Sequence, residues 1–418
     1  MRLLWVCNVP PGVICGGSGL WMDHMLAELR QREDLTIHIL ARAVSAGAGT
    51  VDERLSYCLF EEPVQHAYAS NLEALFRQEV LSFRPDVVHI WGTEFGHTLA
   101  MTRVCRKLGL GQKCVISIQG LCGIYAPHYA EGVPYRVQRS ATLRDFLRRD
   151  NILRQQKKYA LRGEMEAEAL ANCRHVIGRT HWDEACMRLL APQAEYHFCN
   201  ETLRPNFYRG QWAYATCKKH RIFTSSMATP VKGFHYLLEA FRLVLRSYPD
   251  ATLAVPGESF LELSPRQRLL QQSYHHYLAR LAKKFGVAEK IEFLGHLSPE
   301  KMQQAFLDSH VFVLPSTIEN SPNSLGEAML LGMPCVAADV GGVTTMLRSG
   351  REGYVYPSTA PYMLADSICR IFRMEDQAAS LGQAAREHAL QTHDPQSNLS
   401  TLEAIYARLA ENPKEDTV

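Results

Sequence analysis

One segment constrains the fold of this chain more than any other. Residues Val311 to Ala338 read VFVLPSTIENSPNSLGEAMLLGMPCVAA. An apolar run of strand length, Val311–Leu314, is closed by Pro315-Ser316 and followed by a polar loop. A helix-like stretch, Leu325 to Leu331, comes next, then Gly332-Met333-Pro334 and a second apolar run, Cys335–Ala338. Strand, loop, helix, strand is the βαβ unit of a parallel sheet. Open sheets of this kind bind ligands at the carboxyl ends of their strands. The first amides of the predicted helix, near Asn323, Ser324 and Leu325, favour an anion such as a diphosphate. Glu319 lies in the loop, and Glu327 follows it by eight positions. Carboxylates flanking a place suited to phosphate are better matched to hydroxyls than to the anion. Ser324 and Glu327 also fit a capping box, which accounts for Glu327 without any ligand. It does not account for Glu319.

The same rhythm runs through the chain. Predicted strands fall near Leu3–Asn8, Thr36–Ala41, Val87–Trp91, Lys113–Gln119 and His175–Gly178, with a weaker one at Tyr196–Cys199. After an aperiodic stretch at Arg204–Tyr214 it restarts, with strands at Arg221–Ser225, Thr252–Val255, Ile291–Leu294, Val311–Leu314 and Cys335–Ala338. Helical patterns separate them, including Thr142–Ala171 and Gln267–Phe285, and a polar helical stretch runs from about Glu375 to Asn412. At 418 residues the chain exceeds one core of roughly 100–200 residues, so two α/β lobes are expected. The expected division is 1–205, 206–375, and a helical segment 376–418.

The net charge of +2 gives no electrostatic case for nucleic acid. The twelve cysteines form no C-x-x-C pair, and several sit in apolar runs, which favours reduced thiols. No apolar stretch reaches about 18 residues, so no spanning helix is expected. The first residues, MRLLWVCNVPPG, read as a strand and turn rather than a leader. The expectation is a cytoplasmic protein, with a peripheral place on the inner face of a membrane as a second reading. The motif for that reading is the run from Arg136 to Arg162, nine basic residues opposed by Asp145 and Asp150. A solvated helix face is the simpler account of such a run.

Ser225 to Gly233, SSMATPVKG, follows a strand and opens a helix. Lys232 there gains nothing from the helix dipole but is placed to reach a diphosphate. No G-x-x-x-x-G-K-[ST] occurs, which argues against a P-loop, and no Asp-x-Asp metal clamp is present. Gly16-Gly17-Ser18-Gly19 follows the first strand but lacks the third glycine of a dinucleotide fingerprint, and the second strand ends without an acid. Gly17 is nevertheless a candidate for close backbone approach to a ligand. Arg179, at the end of a strand, suits either a phosphate or an internal salt bridge.

The phrase from Val311 to Gly342 resembles the E-x7-E signature of retaining glycosyltransferases of family 4, which have the GT-B architecture. The acid spacing, the Ala328-Met329 that follows, the G-x-P and Gly341-Gly342 all fall in place. The resemblance implies two Rossmann-like lobes, with a C-terminal helix bracing the first. It implies transfer of a sugar from a nucleotide-diphosphate sugar to a hydroxyl of a glycan or lipid-linked acceptor, with retention and with no metal or other cofactor. Glu319 would then hold sugar hydroxyls and Glu327 the ribose, with Lys232, the Ser324 helix and Gly17 around the donor. The acceptor side would involve Gln119, where many relatives carry histidine, with His89 and His97 nearby. Relatives also keep an arginine where Met227 stands, and Arg179 is the candidate substitute. A nucleotide-sugar epimerase and a non-catalytic sugar-nucleotide-binding protein remain alternatives.

Overall fold

The computed structural model describes residues 1–16, 21–62, 64 and 67–412, with Trp21 described in its backbone alone. The chain splits into two compact units. The first comprises Met1–Ala126, Lys158–Thr202 and His393–Val418, and the second Pro127–Lys157 and Leu203–Thr392. The expected division differs at three places. Pro127–Lys157 counts with the second unit, the boundary falls after Thr202 rather than after residue 205, and the terminal helical stretch is shared, its part from His393 onward belonging to the first.

The first unit holds β1 (Arg2–Cys7), β2 (Thr36–Ala43), β3 (Gly47–Asp52), β4 (Leu55–Glu61), β5 (Val87–Trp91), β6 (Cys114–Ser117), β7 (His175–Gly178) and β8 (Glu195–Phe198). They form one sheet in the order β3-β4-β2-β1-β5-β6-β7-β8. All neighbours are parallel except β3 and β4, a hairpin. Sequence reading misses this hairpin because β3, GAGTVD, is almost wholly exposed and carries no apolar alternation. One face of the sheet packs on the helix Pro395–Glu411, whose Leu399, Leu402, Ile405, Tyr406 and Leu409 join Trp5 and Ile39 in one core. The terminal helix therefore braces the first unit, as expected.

The second unit holds β9 (Lys218–Phe223), β10 (Thr252–Val255), β11 (Ile291–Phe293), β12 (Ser309–Leu314), β13 (Cys335–Asp339) and β14 (Tyr354–Pro357). Their order is β11-β10-β9-β12-β13-β14, parallel throughout. β12 is buried at all six positions, which is why it reads as a continuous apolar run. From β9 the chain builds outward to β10 and β11, then returns to place β12 on the other side of β9. The gap between the ends of β9 and β12 is a topological switch point.

Three long predicted helices are broken. Thr142–Ala171 divides into Leu143–Arg148 and Ile152–Ala171, Gln267–Phe285 into Pro265–Leu269 and Ser273–Phe285, and the terminal stretch into Ala378–Thr392 and Pro395–Glu411. Among the described residues no helix is long and apolar enough to cross a membrane. All twelve cysteines are free and ten are buried, where the thiol acts as a small hydrophobe.

Candidate functional site

The loops leaving β9 and β12 meet at the switch point of the second unit. Thr317 donates its amide to the carbonyl of Val231 at 2.8 Å, which ties one loop to the other. Gly233 makes this approach available: its φ is 64°, and a Cβ there would lie 1.7 Å from the carbonyl oxygen of Pro315. On the far side, Gly341 (φ 50°) faces the Glu319 carbonyl so closely that a Cβ would lie 1.9 Å away. Gly342 donates its amide to that same carbonyl at 3.1 Å. Between these two contacts Lys232 Nζ reaches Glu319 Oε1 at 2.6 Å, and Ser316 Oγ donates to the same oxygen at 2.8 Å. The lysine side chain is 38% exposed and the glutamate 9%. A buried carboxylate is thus held by a cation that still meets solvent.

The helix Asn323–Leu330 starts after Pro322, and no side chain caps it. The capping box of Ser324 and Glu327 does not form. The amide of Leu325 is spent on the Pro322 carbonyl at 2.9 Å, so the amides of Asn323 and Ser324 are the ones at the mouth of the helix. Glu327, 4% exposed, instead accepts from Arg204 through both oxygens, Nε at 2.6 Å and the second guanidinium nitrogen at 2.7 Å. Burial pushes the Glu327 carboxyl above its usual range, and Arg204 opposes that shift. Arg204 in turn covers the Phe207 ring at 4.8 Å.

Beside this lies a cavity of about 670 Å³, at the ends of β9, β10 and β11. Its wall includes Ser225, Met227, Glu258, His275, His296 and Arg144. The loops after β10 and β11 are bridged there, Gly257 donating to the Gly295 carbonyl at 2.8 Å and Gly295 donating back at 3.2 Å. Met227 is buried in this wall. Glu319, Lys232 and Glu327 do not line the cavity. Lys232 and Glu319 lie in the loops after β9 and β12, and Glu327 lies in the helix Asn323–Leu330.

This is the sheet position where α/β folds hold nucleotides. Residues 215–388 match the family model described as "Glycosyl transferases group 1". Curated relatives include D-inositol 3-phosphate glycosyltransferases. That of Corynebacterium urealyticum is 26% identical over 190 residues, covering 44% of this chain and 42% of the relative. That of Gordonia bronchialis is 30% identical over 193 residues, covering 44% and 40%. The matches thus span less than half the length of these relatives. Among solved structures, sucrose-phosphate synthase from Thermosynechococcus elongatus superposes with a TM-score of 0.71 at 15% identity, covering 98% of this chain and 99% of that one. Anabaena HepE, solved with UDP and glucose, gives 0.66 at 16% identity, covering 97% and 99%. At such identity the likeness speaks for the fold, which is of the GT-B class.

The matched stretch 215–388 contains Glu319, Glu327, Lys232, Asn323, Ser324 and Leu325 together. The remaining candidates lie in the first unit. Gly17 is outside the described residues. Arg179 is engaged within the first unit. It is 6% exposed, and its guanidinium is bonded to the Glu201 carboxylate and, at 3.2 Å, to the Ile118 carbonyl. Gln119 donates to the other Glu201 oxygen at 2.6 Å. His89 and His97 are not placed to meet a substrate. His89 is 1% exposed between Tyr406 Oη at 2.6 Å and Ser117 Oγ at 2.7 Å, and burial pushes it down to about 3. His97 is fully buried with Nδ1 at 2.7 Å from Glu62 Oε2.

Sequence reading missed Arg204, Arg144 and Ser316. Arg204 lies 123 positions from Glu327, and only the fold brings them together. One group among the described residues has the donor set for a metal ion: His175, Glu195 and His197, with ligand atoms within 4.8 Å of one another. It sits in the first unit, and Arg408 already engages both oxygens of Glu195.

Proposed function

We propose that this chain is a retaining, metal-independent glycosyltransferase that moves a sugar from a nucleotide-diphosphate sugar to a hydroxyl of a glycan or lipid-linked acceptor. The observation that carries this reading is the Lys232–Glu319 contact at the switch point of the second unit. Breaking the bond between sugar and diphosphate leaves negative charge on the phosphate and positive character on the sugar. Lys232 has three N–H donors, enough to hold Glu319 and a phosphate oxygen together. Its ammonium and the amides of Asn323 and Ser324 supply the positive field that a divalent ion supplies elsewhere. Glu319, fixed by Lys232 and Ser316, accepts from the donor-sugar hydroxyls. Glu327 receives the ribose diol. Arg204 grips both of its oxygens but leaves each with lone pairs, and it opposes the upward push of burial on the carboxyl. The adjoining cavity of about 670 Å³ has the size of a small-molecule site and suits the base.

The fold neighbour HepE was solved with UDP and with glucose, which supports a nucleotide sugar as donor. The test is a thermal-shift screen of nucleotide sugars, since a ligand that binds only the native state raises its apparent stability. It is followed by turnover with the donor that scores. Glu319→Gln and Lys232→Ala each lower kcat/KM by about 10²–10³, the scale of lost preorganised charge stabilisation. Chelator leaves the rate unchanged, and NMR of the product finds the donor's anomeric configuration. Inversion, or unaltered turnover in either variant, overturns the proposal.

A further inference from the structure

The short helix Leu143–Arg148 is built inside out. Asp145 is its buried residue, 1% exposed. Its carboxylate accepts the amide of Thr142 in a reciprocal cap and the amide of Ser273 at 2.9 Å. Arg144 closes over the same group, bonded to Asp145 at 2.9 Å and to Asp150 at 3.2 Å. The apolar residues point the other way. Leu143, Phe146 and Leu147, at helical spacings of three and four, are 51%, 67% and 69% exposed. Tyr135, in the preceding short helix, is 62% exposed. A surface helix ordinarily buries such a stripe and shows its acids to water. Here the polar side is spent on docking and the apolar side is left outward.

Charge surrounds that apolar face. Arg136, Arg139, Arg148, Arg149, Arg154 and Lys157 are all exposed. From Val133 to Lys157 the acids are Asp145, which is buried, and Asp150, which is paired with Arg144. The surface charge of this segment is therefore entirely positive. Arg149 adds to the pattern, since its backbone is left-handed (φ 50°) at a helix end where glycine is the usual residue. A guanidinium is kept there against local backbone preference.

We infer that Tyr135–Lys157 is a docking surface for an anionic phospholipid bilayer, with Phe146, Leu147 and Leu143 entering the headgroup region and the arginines meeting lipid phosphates. Outward aromatic and leucine side chains among cations are the composition of interfacial membrane segments. Anionic lipid is the partner that satisfies both features, since a neutral apolar surface leaves six cations unmatched and a soluble polyanion leaves the apolar stripe in water. Arg144 of the same segment also lines the 670 Å³ cavity, so the docked segment adjoins that cavity within one unit.

The experiment is sedimentation of the full chain with vesicles of phosphatidylcholine alone, or with about one third phosphatidylglycerol, at low and high salt. Expected is at least tenfold stronger partition to the anionic vesicles, falling with salt. Phe146→Ser with Leu147→Ser, and separately Arg148→Gln with Arg149→Gln, each reduce it tenfold or more. These side chains are exposed, so melting temperatures stay near wild type. Equal partition to both vesicle types, no partition at all, or wild-type partition by the variants overturns the inference. So does a homodimer in velocity sedimentation that Phe146→Ser with Leu147→Ser dissolves, because a second copy then covers the face.

Discussion

Two ion pairs in this molecule share a plan and differ in one respect. Each joins a cation just beyond one strand to a glutamate just beyond the neighbouring strand. In the second unit Lys232 follows β9 and Glu319 follows β12, and in the first Arg179 follows β7 and Glu201 follows β8. Lys232 is 38% exposed, whereas Arg179 and Glu201 are 5% and 8% exposed in their side chains. The sealed arginine is held by the carboxylate and a carbonyl, and burial raises Glu201 above its usual range. The open lysine is a point charge on a flexible stem. The two pairs thus differ in the cation's access to solvent, which residue type and strand-end position alone do not reveal.

The largest test of that contrast is stability. Arg179→Met strands a buried carboxylate and costs about 3–5 kcal/mol, whereas Lys232→Met costs about 1 kcal/mol or less. Denaturant titration of both variants measures the difference, and equal losses break the comparison. Glu166 sharpens it from the carboxylate side. It accepts from Thr93 Oγ1 at 2.6 Å and from the Gly123 amide at 3.0 Å, and burial pushes it from the usual 4.5 up to about 7. Between those values the folded chain binds more protons than the unfolded one, so its stability falls as pH rises from about 4.5 to about 7 and then levels. The span is about 3 kcal/mol, read as the change with pH in the difference between wild type and Glu166→Gln. The smallest effect is on Arg204, whose pair with Glu327 is intermediate, at 22% and 5% exposure. Arg204→Met raises donor KM about tenfold, the loss expected for hydrogen bonds to a charged group. It also makes KM fall as pH rises, because burial then raises the Glu327 carboxyl unopposed. Steady-state kinetics from pH 6 to pH 9 checks both.

Local pattern made much of this visible. β12 announced itself as an unbroken apolar run because it is buried on both faces, and Lys232 and Glu319 stood at loop positions that any βαβ reading marks. What stayed hidden was partnership across distance. Nothing near Arg179 in the chain distinguishes a phosphate contact from the brace to Glu201, 22 positions on. Ser324 and Glu327 satisfied the spacing of a cap, yet a distant guanidinium won the carboxylate by offering two charge-assisted bonds in place of one neutral amide. His89 and His97 looked reachable at strand and helix ends, but burial of those ends depends on Tyr406 and Glu62, far away in the sequence.

The helix Pro395–Glu411 bears on how this chain comes off the ribosome. Trp5 and His89, near the beginning, share the hydroxyl of Tyr406, separated from it by 401 and 317 positions. Part of one face of the first sheet therefore stays uncovered until this helix is made. The second unit, made in between, has its own sheet and core to condense on. The core of the first unit is thus completed only after the second unit has been made.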